Sequence, residues 1–112
     1  SLAVEVTKAL TQHADFDWKN PNRFRSVMGA LAMNAAGFHD PSGAGYDLVA
    51  EWLIKLDPLN PQTTARMSTV FETWRRYDVD RQAMMRAALQ RIQATPNLSR
   101  DTTEMVTRIL GD

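Results

Sequence analysis

Hydrophobic residues recur along this chain at the spacing of an α-helix. Before residue 37, one apolar stripe follows the i, i+3, i+4, i+7 pattern that buries a single helix face; it consists of Phe24, Val27, Met28 and Leu31. A shorter stripe at four-residue spacing consists of Leu2, Val6 and Leu10. We therefore predict one helix over residues 2–11 and a second that starts at Asn20-Pro21 and ends near Gly37.

The apolar pattern is densest between residues 46 and 56, where it forms two stripes. One stripe contains Tyr46, Val49, Ala50 and Leu53, and the other contains Leu48, Trp52 and Leu56. A helix that is apolar on two sides is typical of an inner element covered from both directions. The turn-rich residues 39–43 should precede this third helix, and Asp57-Pro58 should end it because proline disfavours helical geometry in the residue before it.

Three further helices are predicted after residue 59. The fourth starts at Asn60-Pro61, ends near Arg75-Arg76-Tyr77-Asp78, and has as its apolar positions Met67, Val70, Phe71 and Trp74. The fifth runs from about Val79 to Ala94, with its buried positions at Met85, Ala88, Leu89 and Ile92. The last starts at Ser99 or Asp101, with Glu104 as a capping-box partner, and ends at Gly111. The chain therefore belongs to the all-α class, with about six helices.

Two of these helix starts share the same chemistry and lie forty residues apart, at Asn20-Pro21 and Asn60-Pro61. Asparagine is a favoured N-cap, and proline at the first helical position loses no hydrogen bond. A period of roughly 40–47 residues is typical of stacked helix pairs of the HEAT or armadillo type. We predict that residues 1–112 form a single helical-repeat domain, a right-handed stack of antiparallel helix pairs.

Composition and charge narrow the classes of function. The thirteen basic and thirteen acidic residues cancel, so no bulk attraction to nucleic acid or to an anionic membrane is expected. The sequence contains no cysteine, which excludes disulfides, thiolate catalysis and cysteine-based zinc sites. No apolar run reaches the ~18–20 residues that span a bilayer. We expect a cytoplasmic protein.

The sequence contains no strong candidate for a catalytic site. His13 and His39 are the only histidines, and no HExxH motif accompanies them, so no metal site is expected. Asp15 and Asp17 could form an acid/base pair, but alternate acids before a capped helix are more typical of turns and caps. Residues 43–45, Gly-Ala-Gly, resemble a phosphate loop only weakly, since no strand precedes them and no Lys-Ser/Thr follows.

The arginines are the remaining candidates for binding. Six of them in residues 66–91 give a mild local excess of positive charge, which favours a solvated face over a nucleic-acid patch. Arg25 and Arg66 differ from these, because both are expected in the N-terminal half of a helix, where a cation opposes the helix dipole, and off the apolar stripe. Two interpretations remain open for them: ordinary surface arginines, or side chains aimed at an anionic group such as a peptide carboxylate.

A long segment of the chain resembles the bacterial aminopeptidase N family of zinc metallopeptidases. The segment is His13-Ala14-Asp15-Phe16-Asp17-Trp18-Lys19-Asn20-Pro21-Asn22-Arg23-Phe24-Arg25-Ser26. The match continues in order through Phe38-His39, Gly45-Tyr46, Asn60-Pro61-Gln62, Arg66, Arg76-Tyr77-Asp78, Arg81-Gln82, Met85-Arg86-Ala87-Ala88-Leu89 and Asn97-Leu98-Ser99. It covers nearly the whole chain and corresponds to the C-terminal helical domain of that family alone.

The resemblance implies both a function and a division of labour. In the family, another domain carries the HExxH motif and the zinc, so this chain by itself is expected to be inactive and to hold no cofactor, with zinc in the parent enzyme. The family's C-terminal domain is a stack of paired helices that closes over the active site. Arg25 and Arg66 match family arginines that project into the substrate chamber. The implied partners are the other domains of the same polypeptide and short peptide substrates, and we expect the chain to be a C-terminal fragment of a longer enzyme.

Two other classes of function remain as alternatives. One is a free-standing helical-repeat adaptor that binds a protein partner. The other is a helix-turn-helix binder of nucleic acid, against which the balanced charge argues.

Overall fold

A computed structural model describes residues 4, 5, 26, 29 and 35–111 of the chain. Val4 and Glu5 are helical, as are Ser26 and Gly29, and these four residues fall within the first two predicted helices. The described residues contain helices and turns and no strand, which confirms the all-α class. The predicted start at Asn20-Pro21 and the apolar stripe from Phe24 to Leu31 lie outside the described residues.

The helices after residue 34 form one continuous series. They are α1 (Ala35–Phe38), α2 (Ala44–Leu56), α3 (Pro61–Met67), α4 (Val79–Gln93) and α5 (Arg100–Leu110). Two 3₁₀ turns connect α3 to α4, at Ser68–Phe71 and Trp74–Arg76. Helix α1 lies where the end of the second predicted helix was expected, near Gly37, and it ends at Phe38. No described helix is long and apolar enough to cross a membrane.

The predicted capping residues set most of these bounds. The Asn60 side chain accepts a hydrogen bond from the Thr63 backbone N–H at 3.2 Å, and Pro61 occupies the first turn of α3. Asp78 was expected at the end of the fourth helix, but it caps the start of α4 by accepting from the Arg81 N–H at 3.1 Å. A left-handed Gly111 ends α5, as predicted.

The predicted capping box of α5 is wrong. Ser99 is the N-cap, and its hydroxyl accepts a hydrogen bond from the Thr102 N–H at 3.2 Å. A capping-box partner lies three residues after the cap, which is the position of Thr102. Glu104 lies two residues further on and pairs instead with Arg100, Oε1 to Nε at 3.0 Å.

The predicted fourth helix is also not continuous. Its apolar positions are buried or half-buried as expected, but α3 ends at Met67 and gives way to 3₁₀ geometry. Hydroxyl side chains bond back onto the helix backbone here: Ser68 Oγ donates to the Thr64 carbonyl at 2.9 Å, and Thr69 Oγ1 donates to the Arg66 carbonyl at 2.7 Å. Such bonds compete with regular helical bonding and tighten the turn.

One apolar core joins all these elements. Helix α2 is the inner element, as predicted, since its exposed residues are confined to one polar stripe of Asp47, Glu51 and Lys55. It packs against α4, and α5 packs against α3. The largest fully buried side chains of this core are Phe38, Tyr46, Leu53, Leu56, Phe71, Met85, Leu89, Ile92 and Leu110.

Long-range hydrogen bonds hold α5 at both of its ends. At the start, the Asp57 carboxylate accepts from the Ser99 N–H at 2.7 Å, the Ser99 hydroxyl at 2.6 Å and the Thr102 hydroxyl at 2.6 Å. At the other end, Trp74 Nε1 donates to the Ile109 carbonyl at 2.9 Å, and the Arg75 guanidinium donates to the Leu110 carbonyl. Helix α5 is thereby fixed in position against α3.

Candidate functional site

Helices α3 and α5 enclose a shallow open groove on the surface. Its α3 wall carries Gln62, Arg66 and, just after the helix, Thr69, while its α5 wall begins with Asp101. Ala65 of α3 and Met105 of α5 also line the groove and provide apolar surface. Along α5 the groove continues past Glu104 to Arg108, whose guanidinium contacts the Met105 sulfur at 2.9 Å.

Arg66 is the one predicted site residue that the structure describes, and it lies in this groove. Its side chain is exposed and off the buried face of α3, as predicted. Within the described part of the chain, no hydrogen bond or ion pair involves its guanidinium. A cation at this position can therefore bind an external anion without first breaking an internal pair. Arg25 lies outside the described residues, so its role stays a prediction.

The prediction that Arg66 opposes a helix dipole is wrong. Helix α3 ends at Met67, so Arg66 lies in the last turn of the helix rather than in its N-terminal half. The C-terminal end of the dipole is negative and stabilises a cation. The position of Arg66 is electrostatically ordinary for a helix, and its interest lies in the groove.

Asp101 is the residue that the sequence reasoning missed. It was considered only as a possible start of the last helix, whereas the structure places it in the first turn of α5 with its side chain exposed in the groove. Its carboxylate, like the Arg66 guanidinium, makes no hydrogen bond or ion pair within the described ranges, and the adjacent Arg100 acts on it only through its charge. The groove thus presents one unpaired cation and one unpaired anion on facing walls. The sequence does contain a signal for this exposure. With Ser99 as the N-cap, Asp101 is the second residue of the helix, and its side chain points in a different direction from that of the adjacent, buried Thr102.

His39, one of the two histidines of the sequence, belongs to an internal network. A 2.6 Å hydrogen bond joins its Nδ1 to the hydroxyl of the buried Tyr46, and its ring stacks on Tyr77 with 4.2 Å between centroids. Arg81 Nε donates to the His39 carbonyl at 2.9 Å and pairs with Asp78 at 3.0 Å. Burial, followed by the Arg81 charge, lowers the pKa of His39, and burial raises the pKa of Tyr46 to about 12. This network fixes the turn between α1 and α2.

The glycines of the weak phosphate-loop match serve packing. A side-chain carbon at Gly45 would lie 2.6 Å from the carbonyl oxygens of Gly37 and Phe38, so only glycine lets α2 approach α1 so closely. Gly43 has a left-handed φ of 78° at the start of α2. Close approach and backbone conformation account for both glycines without a bound phosphate.

The described residues do not fit a zinc site, since no three histidine, aspartate or glutamate side chains among them come together as metal ligands would. His13, Asp15 and Asp17 lie outside the described residues. Among the arginines in residues 66–91, Arg75 caps α5 and lies 4.6 Å over the Trp74 ring, and Arg81 supports the His39 turn.

Comparison with known families gives a match along nearly the whole chain. Residues 1–111 match the family described as "Domain of unknown function (DUF3458_C) ARM repeats". ARM repeats are stacked helices, in agreement with the all-helical architecture of the described residues.

Individual relatives point in the same direction. The chain is 47% identical to aminopeptidase N of Caulobacter vibrioides over 97% of its own length, and 42% identical to aminopeptidase N of Escherichia coli over 96%. It spans only 13% and 12% of the lengths of these two relatives. Among solved structures, the crystal structure of Legionella pneumophila aminopeptidase A in complex with aspartic acid matches with a TM-score of 0.89 at 39% identity. That match covers 96% of this chain and 13% of the other.

Proposed function

This chain belongs to the DUF3458_C family of ARM-repeat domains and is homologous to the C-terminal part of aminopeptidase N, and from this premise we propose that it forms the lid of a peptidase's substrate chamber. In this role the helical stack shapes and gates access to an active site located elsewhere in the same polypeptide. The parent enzyme removes N-terminal residues from short peptides. A cytoplasmic location, expected from the cysteine-free sequence, is part of the same proposal.

The observation that supports the proposal is the exposed, unpaired guanidinium of Arg66. An exposed guanidinium without an internal partner, set in a groove with apolar surface beside it, is suited to bind a carboxylate. A peptide that reaches this groove from the active site would present its terminal carboxylate or its backbone carbonyls. Arg25 is proposed to act together with Arg66 at the same end of the peptide.

The chemistry of bond cleavage is assigned to the rest of the polypeptide. The HExxH motif does not occur in these 112 residues, and the described side chains do not form a zinc site. When bound in the parent enzyme, zinc would activate the water that attacks the peptide bond. The residues of this chain would bind and orient the distal part of the substrate.

Replacing Arg66 in the full-length enzyme tests the proposal. Arg66→Ala should raise KM for a short peptide with a free carboxylate by about tenfold, since a hydrogen bond to a charged group contributes ~1.5 kcal/mol. The same peptide with an amidated C-terminus, and an aminoacyl anilide that lacks the carboxylate, should be nearly unaffected. Steady-state kinetics on the three substrates measure this difference.

Arg91→Ala is the matched control. Arg91 is an exposed arginine in the last turn of α4, as Arg66 is in the last turn of α3, and it does not line the groove. This variant should behave as the wild type on all three substrates. An equal rise in KM for the free acid, the amide and the anilide in Arg66→Ala would reject the carboxylate role.

A further inference from the structure

The groove between α3 and α5 carries opposite charges on its two walls. Arg66 lies on one wall and Asp101 on the other, and Ala65 and Met105 line the same groove. Packed helices have axes about 8–10 Å apart, a separation that two or three residues of an extended peptide cover at about 3.5 Å each. One short peptide can therefore meet both charges at the same time.

The position of Asp101 within α5 explains its exposure but does not require a ligand. A carboxylate in the first helical turn is stabilised by the dipole, and Asp80 occupies the equivalent second position of α4. The neighbours of Asp101 form their bonds elsewhere: Arg100 pairs with Glu104 and adds only a lesser charge interaction with Asp101, and Thr102 bonds to Asp57. The feature that distinguishes Asp101 from Asp80 is the groove, with an unpaired Arg66 on its opposite wall.

We propose that Asp101 is a specificity-determining residue that selects short peptides carrying a basic side chain near their carboxyl terminus. This inference rests on the proposed function, in which Arg66 binds the terminal carboxylate. A lysine or arginine side chain has a long apolar stem and a cationic end. The stem can lie on Met105 and Ala65 while the cation reaches Asp101. The same carboxylate repels a peptide that carries an acidic side chain there.

Charge complementarity identifies the occupant. A neutral peptide would use Arg66 and the apolar surface but would leave Asp101 without a counter-charge. A peptide with a basic residue near its terminal carboxylate carries both charges that the groove lacks. A short basic peptide is thus the ligand that supplies a counter-charge to both Arg66 and Asp101.

Three peptides that differ only in the last residue test the inference in the full-length enzyme. Their last residues are lysine, glutamine and glutamate, and each peptide keeps its free carboxylate. The wild type should show kcat/KM values in the order lysine, glutamine, glutamate. Asp101→Asn should reduce the lysine-to-glutamate ratio by about two- to fivefold, the range expected for solvent-exposed charge pairs.

Asp80→Asn is the matched control, because it removes a carboxylate from the same position of a different helix, away from the groove. Its lysine-to-glutamate ratio should equal that of the wild type. Raising the salt concentration should lower the lysine-to-glutamate ratio of the wild type, because salt screens exposed charges. The difference in this ratio between the wild type and Asp101→Asn should therefore shrink at high salt.

The possible failures are distinguishable from one another. If Arg66→Ala discriminates free acid from amide while Asp101→Asn keeps the wild-type lysine-to-glutamate ratio, the inference about Asp101 is overturned and the proposed function stands. If Arg66→Ala affects acid and amide alike, the proposed function fails. An equal loss of kcat/KM on all three peptides in Asp101→Asn, together with a lower melting temperature than in Asp80→Asn, would mean that the adjoining domain occupies the groove and would also overturn the inference.

Discussion

Two aspartates near the start of α5 have opposite surroundings. Asp57 is 2% exposed, and its carboxylate accepts three hydrogen bonds from Ser99 and Thr102. The Asp101 carboxylate is exposed in the groove and accepts no hydrogen bond in the described part of the chain. The same functional group thus joins two helices in one place and stays available to a ligand in the other. Burial and the number of donors within reach distinguish a carboxylate that stabilises the fold from one that can select a substrate.

The largest expected effect comes from removing the buried member of this pair. Asp57→Ala leaves the buried Thr102 hydroxyl, the half-buried Ser99 hydroxyl and the Ser99 backbone N–H without their acceptor, which should lower the free energy of unfolding by about 3 kcal/mol. Asp101→Ala loses only a favourable position in the helix dipole and should cost less than about 1 kcal/mol. Urea unfolding of the two variants beside the wild type measures the difference.

Asp57→Asn separates charge from size in this comparison. Its amide keeps one acceptor oxygen, so we expect a loss smaller than that of Asp57→Ala. Equal stability of Asp57→Ala and Asp101→Ala would contradict the distinction between the two carboxylates.

A smaller effect is expected from the donor side of the same junction. Thr102→Val is nearly isosteric and removes the buried hydroxyl that donates to Asp57, which should cost about 1–1.5 kcal/mol. Thr103→Val is the matched control: its exposed hydroxyl bonds only to the Ser99 carbonyl in its own helix, and the change should stay within about 0.5 kcal/mol. Thermal unfolding of both variants gives the comparison, and a loss in Thr103→Val as large as in Thr102→Val would argue against the Asp57 junction.

The smallest expected effect is on the pH dependence of stability and comes from His39, which is half-buried and hydrogen-bonded to Tyr46. Its pKa in the folded chain lies below 6.5, so the unfolded chain binds the proton more readily and stability falls as pH drops below about 6.5. The groups that face it are Tyr46, Tyr77, Arg81 and Asp78. His39→Asn can keep a hydrogen bond to Tyr46 but does not titrate, so its melting temperature should fall less than that of the wild type between about pH 7.5 and 5.5.

The neighbouring carboxyl groups do not contribute to the change in stability between about pH 7.5 and 5.5. Hydrogen bonds with Ser42 and with Arg81 hold the pKa values of Asp40 and Asp78 below the ordinary 3.8, so what these groups contribute is lost only at more acidic pH. Parallel melting curves for the wild type and His39→Asn would show that protonation of His39 does not affect stability.

Most of the described fold could be predicted from the sequence because its helix boundaries are encoded locally. Asn60-Pro61, Ser99 and Gly111 are capping signals that act within a few residues, and the structure uses each as predicted. The two apolar stripes of α2 also identified it as the inner helix. Local rules suffice where the determining contacts lie within one helical turn.

The errors arose where contacts between distant residues decide the outcome. Asp57 was interpreted only as a helix stop, although it follows Leu53 by four residues and so continues a buried face; its donors come from residues 42 and 45 positions away. The shortening of α3 required the back-bonding hydroxyls of Ser68 and Thr69 to outweigh a continuous apolar pattern. Arg66 and Asp101 lie on opposite walls of the groove because α3 packs on α5, and the hydrophobic periodicity of a sequence does not show which helices pack together.

The two-ended anchoring of α5 has a consequence for local unfolding. Helices ordinarily fray at their ends, but the first turn of α5 is held by Asp57 and its last carbonyls by Trp74 and Arg75. Either end of α5 can open only if hydrogen bonds to residues 57–75 break as well. We therefore expect α5 and this segment to exchange as one cooperative unit in native-state hydrogen exchange, so that both walls of the groove are either intact together or lost together.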